Sequence, residues 1–142
     1  MFTTNEKELR KSCKPCDHRA GRLIGDRLLE MLSQTIDGAG LAANQVGIDK
    51  RVCVVKVNKP IVLINPKIVG KFGKSYFQEG CLSFPGKVVV TERWTSIVVD
   101  TLNHPQMIFS FEKNPLECVC VQHEIDHLNG VVMFDRAVDD WR

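Results

Sequence analysis

The sequence predicts an α+β fold: small mixed or antiparallel β-sheets packed around a central C-terminal metal-binding helix, with an amphipathic helix near the N-terminus. Three observations carry this expectation. An apolar stripe of helical period runs through residues 19–36. Several short runs rich in β-formers follow, separated by turn residues. A well-capped helix near the C-terminus then carries His123-Glu124-Ile125-Asp126-His127. A helix, then strands, then a second helix is an α+β order rather than alternating βαβ units.

The first helix places Ile24, Leu28, Met31 and Thr35 on one face and Arg22, Asp26 and Glu30 elsewhere, and Asp37-Gly38 is its expected stop. Strands are predicted over residues 52–57 and 61–64, flanking a hairpin-like break at Asn58-Lys59-Pro60. Residues 88–91 and 96–101 read as two further strands. Met107, Phe109 and Phe111 alternate with polar or small residues, as in a half-buried strand. The last helix spans residues 115–129. Asn114 suits the N-cap, Pro115 the first helical position, Glu117 the capping-box position and Gly130 the stop.

At 142 residues the chain reads as one domain, residues 1–142, large enough to bury a core. A net charge of +2 gives no argument for nucleic acid or an acidic membrane, and there is no direct nucleic-acid motif. No run of residues is apolar for long enough to cross a bilayer, and the first residues lack the hydrophobic segment of a signal peptide. The expected compartment is the reducing cytoplasm. The six cysteines then read as free thiols or metal ligands rather than disulfides.

Histidines four residues apart on a helix share a face, because the helix turns every ~3.6 residues. His123 and His127 can therefore hold one divalent metal ion, and Glu124 can act as general base on metal-bound water. Such a catalytic site usually takes a third protein ligand and leaves a position for water. Two other segments offer partners. Glu79-Gly80-Cys81-Leu82-Ser83 is a loop-like stretch with a thiol suited to zinc or ferrous iron. Gly38-Ala39-Gly40-Leu41-Ala42-Ala43-Asn44-Gln45 permits close backbone approach, and the Gln45 amide can stabilise an oxyanion. Leu116, Val119 and Cys120 continue the histidine face and should form an apolar wall, with Phe77 just ahead of the Cys81 loop.

In this order and spacing the three segments resemble the motifs of the peptide deformylase family, and Leu9-Arg10-Lys11 and Lys14-Pro15 resemble its N-terminal segment. The resemblance covers almost the whole chain. It implies Cys81, His123 and His127 as metal ligands, with ferrous iron as the native metal and zinc or nickel as substitutes. Glu124 would be general base and then acid. Gln45 and the Leu82 backbone N–H would hold the oxyanion, and Gly40 would lie beside the substrate backbone. The reaction would release formate from N-formylmethionyl peptides, on nascent chains at or near the ribosome, by a monomeric enzyme.

Gly38, Ala39, Gly80, Phe77, Leu116, Val119 and Cys120 are the expected substrate-binding residues, with Glu79 and Arg93 as an ion pair supporting the ligands. Asp126 is expected on the solvent-side flank of the metal helix, in a salt bridge. Ala39 is small where the family commonly has a larger aliphatic residue, which should open the pocket rim. Cys13-Lys14-Pro15-Cys16 departs from the family and reads as structural, since no second pair follows it. The family also commonly continues beyond the metal helix, whereas this sequence reaches Trp141-Arg142 soon after it. Two competing readings are a zincin-like metallopeptidase, from the HExxH pattern alone, and an inactive metal-binding homologue or redox-sensing module.

Overall fold

The computed structural model describes residues 2–138. Trp141 and Arg142 lie outside the described residues. Two helices precede the strands: α1 (Glu6–Leu9) and α2 (His18–Ser33). Two three-stranded sheets follow, all of whose pairings are antiparallel. The first has the order β1 (Gly40–Ala42), β2 (Val52–Lys56), β3 (Pro60–Ile64). The second has the order β4 (Lys67–Gly80), β5 (Val88–Asp100), β6 (Met107–Ser110). Helix α3 (Pro115–Leu128) packs between them. Ala42, Cys53, Val55 and Leu63 from one sheet and Ile97, Val99 and Phe109 from the other meet its Cys118, Val121, Ile125 and Leu128 in one buried cluster. This is an α+β architecture.

Helix α3 begins as the sequence indicates. Asn114 Oδ1 accepts from the Glu117 N–H, and Pro115 fills the first turn without wasting a donor. Buried positions from Cys118 to Leu128 go all the way round the helix, so it is a core element rather than an amphipathic one. Asp126 is accordingly buried, not on a solvent-side flank. Its oxygens accept from Arg93 and Arg136. Gly130 follows at φ 76°, the left-handed conformation that favours glycine.

Helix α2 ends earlier than residue 36. The Gln34 and Thr35 N–H groups bond back three residues, to Met31 and Leu32, tightening the last turn. Thr35 Oγ1 also donates to the Leu32 carbonyl and accepts from the Gly38 N–H, and Ile36 is left exposed. The strands expected over 88–91 and 96–101 are one strand. Glu92 to Thr95 hid the continuity, because a charged residue in their midst, Arg93, points inward and is buried by pairing with other charges. Strand β4 carries lysines and glycines at 67, 70, 71, 73 and 74, which masked its β character. Its register with β5 runs from Lys67 opposite Asp100 to Gly80 opposite Val88.

Candidate metal centre and its cavity

Cys81 follows the last residue of β4, where the long β4–β5 ladder opens into a turn. The ladder delivers the thiol to the face of α3 that carries the histidines. The donor atoms of Cys81, His123 and His127 lie within 4.8 Å of one another. Cys81 Sγ is 3.4 Å from His127 Nε2. The two imidazole rings stand 4.9 Å apart, edge to face. Among the described residues this is the cluster of three or more potential ligands.

The orientation of His123 is fixed from behind. Its Nδ1 lies 2.8 Å from Glu79 Oε1, which leaves Nε2 to point at the thiol. Glu79 is held in turn by Arg93, whose Nε and Nη2 reach its two oxygens at 2.6 and 2.9 Å, and it accepts from the Thr91 hydroxyl. Arg93 Nη1 continues to Asp126 at 2.6 Å. Burial alone would push the Glu79 carboxyl up, but Arg93 and His123 outweigh it and hold it down to about 2. Burial also works against charge on both histidines. His127 is held well below its ordinary value, while His123 is held above it by Cys81 and Glu79.

Glu124 faces the cavity beside the ligands. Burial pushes its carboxyl up to about 7, and its Oε1 is buried without a hydrogen-bond partner among the described residues. Gln45 sits at the end of the short 3₁₀ turn Ala43–Val46 that follows β1. Its Oε1 accepts from the Ala42 N–H, which orients the amide, and its Nε2 points at Ser83 Oγ (3.1 Å) and Cys81 Sγ (3.7 Å). The Leu82 backbone N–H makes no hydrogen bond among the described residues.

One soft thiol and two imidazole nitrogens are a donor set suited to a first-row divalent ion. A lone carboxylate oxygen beside them is suited to receiving a proton. The residues present therefore fit a catalytic metal.

A cavity of about 460 Å³ opens over this cluster. Gly38, Ala39, Gly40 and Gln45 line one side; Phe77, Glu79, Gly80, Cys81 and Leu82 another; Leu116, Val119, Cys120, His123 and Glu124 of α3 form the floor. Gly40 is required by closeness. A Cβ there would meet Cys120 Sγ and Glu124 Oε2 at 2.7 Å each. Arg93 lies behind the site rather than in its wall.

Three contributors were not singled out from the sequence. Asn44 Nδ2 donates to the His127 carbonyl at 2.7 Å, Ser83 receives the Gln45 amide, and Thr91 bonds Glu79. Asn44 and Ser83 lie inside the motif segments, which was their only signal. Cys13 and Cys16 do not form a pair of like environment. Cys13 packs with the α3 cluster and Cys16 with the α2 cluster. His104 belongs to the turn before β6, bonded to Thr101.

The chain matches the family described as polypeptide deformylase over residues 1–141. It is 39% identical over 137 residues to a peptide deformylase of Hydrogenovibrio crunogenus, covering 92% of this chain and 80% of that protein. Among solved structures it is similar to peptide deformylase from Thermotoga maritima, with 35% identity, a TM-score of 0.85, and 97% and 96% of the two chains covered. It is also similar to a peptide deformylase from Synechococcus elongatus in complex with actinonin, at 33% identity and TM-score 0.83, covering 99% of this chain and 80% of the other.

Proposed function

The chain belongs to the polypeptide deformylase family, and we infer that it hydrolyses the formamide bond of N-formylmethionyl peptides, releasing formate and a free amino terminus. The observation that carries the reading is the convergence of Cys81, His123 and His127 beside a cavity whose floor holds Glu124, one of whose oxygens has no hydrogen-bond partner among the described residues. Cys81, His123 and His127 would hold the metal. When bound, a divalent cation lowers the pKa of coordinated water from ~15.7 to about 7 and polarises a carbonyl.

The chain's own groups do the rest. Glu124, with its carboxyl near 7, accepts the proton of the attacking water and delivers it to the departing amine as the C–N bond breaks. The Gln45 amide and the Leu82 N–H hold the oxygen that becomes negative, each oriented donor contributing about 2.7–4 kcal/mol to the barrier reduction. Gly40 keeps its edge of β1 clear for the substrate backbone. Gly38, Ala39, Gly80, Phe77, Leu116, Val119 and Cys120 enclose the methionine side chain. Glu79 and Arg93 hold His123 in its tautomer.

Membership of the family supports ferrous iron as the native metal, with zinc or nickel able to replace it; the thiolate and two imidazoles suit any of the three. We propose that it acts on formylated nascent chains in the cytoplasm, at or near the ribosome, as a single 1–142 domain and a monomer. No helix among the described residues is long and apolar enough to cross a membrane.

The test is formate release from formyl-Met-Ala-Ser with metal content measured in parallel. Glu124→Ala should retain the metal and lose at least ~10²-fold in kcat, while Cys81→Ala should lose metal affinity. Normal turnover by Glu124→Ala would refute the mechanism. Cleavage of internal peptide bonds would return the reading to a zincin-like peptidase. Oxygen exposure should inactivate the iron form faster than the nickel form; equal decay would count against iron.

A further inference from the structure

The two donors assigned to the oxyanion come from distant parts of the chain. The Gln45 amide belongs to the 3₁₀ turn after β1, and the Leu82 N–H to the turn after β4. Among the described residues, the hydrogen bonds that join these two turns are those of Gln45 Nε2: one to Ser83 Oγ at 3.1 Å and a longer contact to Cys81 Sγ at 3.7 Å. Gln45 and Ser83 are 38 residues apart in sequence, and they are 1% and 0% exposed. The Ser83 side chain makes no other hydrogen bond among the described residues, and it does not line the metal cavity. Burying a hydroxyl is costly unless it is bonded, so the Gln45 amide is what offsets the burial of Ser83.

A primary amide is planar, and its nitrogen carries two hydrogens. The Ala42 N–H fixes the oxygen end of Gln45 at 2.9 Å. Ser83 Oγ then accepts one of the two Nε2 hydrogens. With both ends held, planarity sets the direction of the second hydrogen, toward the Cys81 side of the cavity. Ser83 is itself held by the backbone. It lies with Leu82 inside the turn that the Phe84 N–H closes on the Cys81 carbonyl at 3.0 Å. Leu82 precedes it directly, so the Ser83–Gln45 bond also sets how far the Leu82 N–H stands from the Gln45 amide.

We propose that Ser83 is the positioning residue of the oxyanion site: its Oγ takes one Gln45 amide hydrogen, so that the other is aimed, with the Leu82 N–H, at the oxygen of the reacting formyl group. Ser83 touches no substrate and acts through Gln45. The inference rests on the formyl-hydrolase reading and adds to it the residue that keeps the two donors in register. Orientation is where such a bond counts, because a misplacement of about 1 Å costs on the order of 10²-fold in rate. Without it the Gln45 donor is present but no longer aimed.

The test is a double-mutant cycle on the metal-loaded full chain, with formyl-Met-Ala-Ser as substrate and kcat separated from KM. Gln45→Ala should lower kcat about 10²–10³-fold. Ser83→Ala should lower kcat by roughly 10–10²-fold, with KM and metal content close to those of the wild type. In the Gln45→Ala background the same substitution should change kcat by less than about threefold, because the group it positions is gone. A second readout needs no turnover. The Gln45 side-chain amide resonances, assigned by their loss in Gln45→Ala, should exchange their hydrogens with water faster in Ser83→Ala. Wild-type kcat in Ser83→Ala, an equal fold-loss in both backgrounds, a loss confined to KM, or unchanged amide exchange would each overturn the assignment. So would a fall in kcat matched by lost metal or lost fold, which would make Ser83 a structural residue. A wild-type chain that releases no formate would instead overturn the formyl-hydrolase reading, and the role of Ser83 with it.

Discussion

Arg93 is the residue on which most buried charge depends. It touches both Glu79 and Asp126, and through Glu79 it fixes His123. Removing it leaves two buried carboxylates short of a partner, which typically costs about 3–5 kcal/mol. Arg93→Met should therefore lower the urea midpoint sharply and weaken metal retention in the fraction that stays folded; a midpoint shift worth under about 1 kcal/mol would contradict the pairing. Gly40 is sensitive for the opposite reason, excess atoms. The added methyl of Gly40→Ala would collide with the Glu124 carboxylate and the Cys120 sulfur. Displacing a catalytic group by an ångström costs on the order of 10²-fold. The fall should be in kcat, with the circular dichroism spectrum unchanged. Both residues were named from the sequence, but neither the two-sided pairing of Arg93 nor the contact against Gly40 follows from order along the chain.

At the scale of elements, the seat of α2 on the first sheet depends on two bare positions. A Cβ at Gly21 would lie 2.6 Å from Ile64 Cγ2, and one at Gly25 2.4 Å from Val62 Cγ1. The helix thus lies close against β3, and overpacking of this kind costs roughly 1–3 kcal/mol. Gly25→Ala should destabilise in thermal unfolding despite the better helix propensity of alanine; a raised Tm would show the contact to be loose. The start of α3 offers a smaller test. Asn114→Ala removes the acceptor for Glu117 N–H and should cost about 1 kcal/mol. Helix α3 was readable because its caps are local. Strand β4 was not, because its exposed face is lysine, glycine and aromatic rather than an alternating apolar pattern.

Over the whole molecule, buried thiols make stability fall at high pH. Burial pushes Cys13 up to about 11, and Cys16, Cys53, Cys118 and Cys120 are raised as well. The unfolded chain ionises first, so the neutral thiols contribute their full stability below pH 9, and the Cys13 share is lost as pH rises from about 9 through 11. The urea midpoint should fall over that window, and Cys13→Ala should flatten part of the fall. An identical slope in the variant would remove Cys13 from the account.

The sequence by itself determined the helix that carries His123 and His127, the α+β class and the family. Each rests on residues close together in the chain: a cap, a four-residue spacing, a contiguous motif. The long β4–β5 ladder, the inward turn of Arg93 and the burial of Asp126 were decided only by tertiary structure. A charged side chain reads as solvated until its partners are known, and here those partners come from β4, β5, α3 and the turn after it. The same holds for the exposed aromatics of β4, which the one-dimensional pattern assigns to no face until β5 supplies the register.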